Sequence, residues 1–135
     1  MRYAGWLKWL LRLGGGVSCL ALPAVFLPLS WMAACHEWLG LGTLPAGPIV
    51  PYLARSLSAF YAFFGGLCIV VSFDLRRHRA TITYIGVTHV VFAAALAVID
   101  LTAPLPWYWI AAEAPAALAF GTGILLLQGR AAKNS

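Results

Sequence analysis

Phe73-Asp74-Leu75-Arg76-Arg77-His78-Arg79-Ala80 is the one dense cluster of charge in this chain, and a long apolar run lies on each side of it. Three arginines and an aspartate do not sit together in hydrocarbon, so the stretch reads as a water-exposed turn. The flanking runs are about the length needed to cross a bilayer. Arginine excess marks the cytoplasmic side of such a protein. The octet therefore predicts an integral membrane protein with this turn inside.

Composition agrees. Of 135 residues, 62% are hydrophobic and 10% charged, against roughly 25% charged in an ordinary soluble domain. The net charge of +5 does not point to nucleic acid, because the basic residues stand at the ends of apolar runs rather than on one soluble face. Neither a phosphate-binding glycine loop nor a Cys-x-x-Cys pair is present. Cys19, Cys35 and Cys68 all lie in apolar stretches and read as small buried hydrophobes, with a disulfide or redox pair through Cys35 as the alternative.

Outward from the turn, the spacing predicts four spans, at about 17–36, 52–73, 81–101 and 107–128, in a single membrane domain covering 1–135. The expected fold is all-α, an integral four-helix bundle. Residues 1–13 alternate Arg2, Lys8 and Arg12 with Trp6, Trp9, Leu10 and Leu13. They read either as a short helix lying in the interface or as a basic flank of the first span. Gly14-Gly15-Gly16 is expected to break the helix or let it turn. Pro23 and Pro28 predict a bent first span. A cleaved leader is its rival, since Met32-Ala33-Ala34-Cys35 resembles a lipoprotein cleavage box. The loop at 37–51 is rich in glycine and proline, has no lysine or arginine, and should face outward.

Span two carries a stripe of small residues, Ser58, Ala59, Ala62, Gly65 and Gly66, that admits close helix approach. Phe60, Phe63, Phe64 and Leu67 fall on its other side. Gly86, Val90, Ala93, Ala94 and Ala97 form a similar side on span three. Pro104 and Pro106 end the turn after it, and Trp107, Tyr108 and Trp109 form an outer aromatic belt. Of the nine lysines and arginines, all but Arg55 fall on one side. This places both termini in the cytoplasm and the protein in a bacterial inner membrane.

Ionisable residues inside spans are functional candidates, because lipid burial is costly. Arg55, Asp100 and Glu113 all fall in the outer leaflet, on three different spans. They form either a structural ion pair, with Arg55 held by Glu113 or Asp100, or a small outward-facing cavity for a polar or anionic headgroup, a quinone or a proton. His89 lies about 16 Å deeper than Asp100 on the same face, at the depth of Tyr61. It is satisfied by Tyr61 or a backbone carbonyl, or it relays protons or touches a ligand. No spacing suits a metal. No residue is assigned to catalysis, and no cofactor is specified.

The run Ala54-Arg55-Ser56-Leu57-Ser58-Ala59-Phe60-Tyr61-Ala62-Phe63-Phe64-Gly65-Gly66, then Asp74 to Arg79, then Asp100 after a third span, resembles the small four-helix bacterial membrane proteins grouped as DoxX-like. The resemblance covers residues 50–128. Founding members of that group are associated with quinone-linked oxidation, so it implies a quinone or lipid partner. Small multidrug transporters have similar size but depend on a glutamate within the first span, absent here before Glu37. The sequence thus leads to a small accessory or ligand-binding membrane protein, which either packs against a second copy or a partner subunit, or serves a membrane oxidoreductase or transporter through its outer polar cluster.

Overall fold

The structure, a computed structural model, describes residues 2–133 and is helical throughout. Five α-helices follow in order: α1 (Arg2–Cys19), α2 (Leu29–Trp38), α3 (Ile49–Val71), α4 (Arg79–Thr102) and α5 (Trp107–Lys133). A single 3₁₀ turn, Leu22–Val25, lies between α1 and α2. Helices α3, α4 and α5 are each long and apolar enough to cross a membrane, and they mark the chain as a membrane protein. Phe73 to His78 of the arginine-rich octet lie in the connection between α3 and α4, and Arg79 and Ala80 open α4.

The amino-terminal third departs from expectation. The three consecutive glycines do not break the helix. They lie inside α1, which is continuous for 18 residues. The interruption falls instead on the prolines. Pro23 sits in the first turn of the 3₁₀ segment, whose last carbonyl-to-amide closure is Phe26 N–H to Pro23 O. Pro28 caps α2 with an extended ψ of 146°. A residue before proline is pushed out of the α region, so Leu27 ends one segment before Pro28 starts the next. The expected bent span at 17–36 is therefore three helical pieces.

The chain forms two compact units. Of the described residues, the first comprises 2–14 and 68–133. Its centre is the α4–α5 hairpin, in register through small residues. A Cβ on Gly121 would meet the Gly86 carbonyl, His89 and Val90 at 2.8–2.9 Å, and a Cβ on Gly86 would meet Leu125 and Ile124. Thr83 and the Arg79 carbonyl bond to Gln128 at the end of the hairpin away from the α4–α5 connection. The buried face of α4 is Ile82, Ile85, Gly86, Ala93, Leu96 and Asp100, a helical spacing of three and four.

The first turns of α1 also belong to this unit and run antiparallel to α5. Tyr3 stacks under the Arg130 guanidinium, Leu10 reaches Gly123, and Gly14 lies so close to the Phe120 ring that no Cβ would fit. Leu7 and Leu11, one turn apart, are fully buried, while Trp6 and Trp9 are exposed. Residues 2–14 accordingly pack along α5. The leucine pair supplies an apolar stripe and the glycines supply clearance.

The second unit comprises residues 15–67. Here the stripe on α3 is used as its spacing implies. Ala62 and Gly65 are buried, whereas Phe60 and Phe63 stand 66% and 76% exposed. Gly65 approaches the Gly15 carbonyl and Cys19 too closely for any side chain, and the Cys19 thiol points at the Ala62 carbonyl, 3.6 Å away. Close backbone contact through small residues is how membrane helices gain packing without a hydrophobic drive between them. Gly40, Gly42 and Gly47 take positive φ in the 39–48 loop, and His36 Nδ1 lies 2.8 Å from the Gly42 carbonyl, closing it onto α2.

Candidate functional site

The candidates divide between the units. Asp100, His89 and Glu113 belong to the first, and Arg55 and Tyr61 to the second. Among the described residues Asp100 stands apart. It is 1% exposed, and its Oδ2 has no hydrogen-bond partner there. Leaving a buried acceptor unmade costs about 1–3 kcal/mol, and more for a charged one. Such an atom calls for a specific explanation.

Its position follows from helix geometry. Asp100 ends the buried face of α4, one turn after Leu96. Thr102 closes the helix by turning its hydroxyl back to the Val98 and Ile99 carbonyls. Continued outward from Gly86 and Gly121, the hairpin register sets Asp100 opposite Ile110, in the first turn of α5. That turn begins with Trp107 and Tyr108, whose rings meet edge to face at 6.1 Å. Glu113 is one turn deeper. It is half-buried, and its Oε2 accepts a 2.6 Å hydrogen bond from Trp109 Nε1. The end of the hairpin at the α4–α5 connection thus holds two carboxyl groups among three aromatic rings. One carboxyl group is tied to an indole; the other keeps an open oxygen.

His89 sits about 16 Å below Asp100. Its Nδ1 lies 2.9 Å from the Ile85 carbonyl, so a proton there is donated within the helix. Its ring packs edge-on to Phe120 at 4.9 Å, and Gly121 approaches its Cβ. In the second unit, Arg55 is exposed and donates from Nη2 to the Leu27 carbonyl at 3.1 Å. That carbonyl stands where Pro28 ends the helical hydrogen bonding, and Arg55 supplies the missing donor. Tyr61 is 38% exposed.

The sequence reading missed two participants, Phe120 and Ser72, and the bond that Trp109 of the aromatic belt makes to Glu113. Trp109 is four residues before Glu113, a spacing that places both on one face, and it could have been found. Phe120 beside His89 depends on the hairpin register. Ser72, fully buried at the end of α3, donates to the Ile69 carbonyl at 2.6 Å and accepts from Arg12 Nε at 3.0 Å. No group of three or more histidine, cysteine or acidic residues among those described could hold a metal ion.

No family model, curated protein or solved structure matches this chain.

Proposed function

We propose that this chain is a four-span protein of a bacterial inner membrane, with both termini in the cytoplasm, that holds a membrane-soluble ligand at the outer end of the α4–α5 hairpin. Residues 2–38 supply the first crossing. The ligand is a lipid headgroup or a quinone, the classes that the DoxX-like resemblance implies. The observation that carries the reading is the buried Asp100 carboxyl with an unpartnered oxygen. Both ligand classes offer a donor for it, a headgroup hydroxyl or ammonium, or a quinol hydroxyl. The aromatic rings of Trp107 and Tyr108 supply an amphipathic entrance at headgroup depth.

Native mass spectrometry after gentle extraction tests this. The wild-type protein should carry an adduct of lipid or quinone mass, and Asp100→Asn should lose most of it. Equal adducts in the two proteins, or no small molecule at all but a co-purified membrane subunit, would overturn the reading in favour of a structural helper.

A further inference from the structure

At the opposite end of the first unit, we infer that Arg12 forms a site for a phosphate group, that of an inner-leaflet anionic phospholipid. This goes beyond the ligand proposed for Asp100. It rests on different residues, Arg12, Ser72 and Phe73, beside the α3–α4 connection rather than at the Asp100 end of the hairpin.

The arginine is held in place from two sides. Its Nε donates to the hydroxyl of Ser72 at 3.0 Å, and its guanidinium carbon lies 5.2 Å from the centroid of the Phe73 ring. Ser72 is itself fully buried and fixed by its bond to the Ile69 carbonyl. Nε is the only nitrogen of this guanidinium with a hydrogen-bond partner among the described residues. A serine and an aromatic face have thus set the plane of the fork, and its two Nη groups remain to be used. Guanidinium matches the oxygens of a phosphate with two parallel hydrogen bonds. Pre-setting the fork lowers the entropy lost on binding.

The surroundings favour an anion. Lys8 is one turn earlier on the same side of α1, and Arg76 and Arg77 follow Phe73 in the turn. Asp74 is the one acid in that turn. Its carboxylate is already engaged, accepting the Arg77 backbone N–H at 3.1 Å. The surroundings also favour a lipid over a free ion. Phe73, against the guanidinium, and Trp9, three residues before Arg12 on α1, are 66% and 62% exposed, giving acyl chains an apolar surface beside the charged head. Tryptophan and arginine together mark headgroup depth.

The test uses the full chain in nanodiscs of phosphatidylcholine containing a minor share of phosphatidylglycerol. Lipids retained after release are read by native mass spectrometry. Wild type should be enriched in phosphatidylglycerol. Arg12→Gln should lower that enrichment about tenfold, the worth of a charge-assisted pair. Arg12→Lys, which keeps the charge without the fork, and Ser72→Ala, which frees the fork, should fall between. Arg2→Gln should leave the enrichment unchanged. Retained enrichment in Arg12→Gln, equal behaviour of the lysine variant and wild type, or an equal loss in Arg2→Gln would overturn the proposal, since charge alone would then explain the binding. A parallel arm adds inorganic phosphate. Undiminished lipid enrichment identifies the bilayer as the source, and displacement by phosphate overturns the lipid assignment.

Discussion

Asp100 Oδ2 has no hydrogen-bond partner among the described residues. An unpartnered carboxyl oxygen in a buried site is retained against about 1–3 kcal/mol. Asp100→Leu replaces the stranded polar group with an apolar side chain of similar size, so it should raise the free energy of unfolding in detergent by up to about 1–3 kcal/mol, read as a higher melting temperature. The gain should disappear when wild type is measured with its ligand bound, because binding to the native state alone stabilises it. A lower melting temperature for the variant in detergent would mean that Asp100 already has a partner. A second carboxylate behaves oppositely. Asp74 lies in water, and the N–H groups of Arg77 and Arg76, with the nearby His78 and Arg76 charges, hold its pKa below the ordinary 3.8. A folded-state pKa below the unfolded one stabilises the turn above that value and is lost as pH falls through the folded one. The Asp74 carboxyl carbon signal should therefore titrate below 3.8, and Arg77→Pro, which deletes the donor, should return it toward 3.8.

At the scale of helices, small residues are placed where two backbones meet. Ala62→Leu, on the buried side of α3, should cost roughly 1–3 kcal/mol through overpacking. Phe63→Leu on the exposed side should cost less in the same thermal unfolding series, and equal tolerance would place the stripe against lipid. Gly14→Ala should likewise lower stability, since the Phe120 ring occupies the space a methyl group needs. These contacts also show what the sequence could and could not convey. Spacing alone marked Ala62 and Gly65 as a contact face, because helical periodicity is local information. Spacing could also have placed Trp109 within reach of Glu113, four residues on, but was not read that way. The three glycines carried two incompatible meanings, helix breaking and close approach, and only the partner rings and backbones decide between them. In membrane helices glycine is tolerated, and the prolines, which lack a donor, became the break. The tie from Arg12 to Ser72 joins residues sixty positions apart, and no local pattern encodes it.

For the whole molecule, the distribution of charge predicts orientation. With the three native cysteines removed, single cysteines at Ala46 and Ala132 should differ toward an impermeant thiol reagent in intact cells. Only Ala46 should label. Labelling at Ala132 alone would invert the topology, and with it the assignment of Arg12 to the inner leaflet and Asp100 to the outer.

The antiparallel seating of α1 on α5 has a consequence for how the protein is made. Gly14 rests on Phe120 and Leu10 on Gly123, so α1 leaves the ribosome about a hundred residues before the surface it fits. At cellular rates of synthesis that gap lasts roughly 5–20 seconds. Throughout it, Leu10 and Gly14 lack their seats on α5, while Arg12 can meet Ser72 well before α5 exists. The arginine's hold on the serine then serves as a waiting position, keeping α1 near the place where the last helix will arrive. Abundance of Ser72→Ala should fall in cells more than its equilibrium stability in detergent does, because what the serine protects is an unfinished chain exposed to membrane proteases.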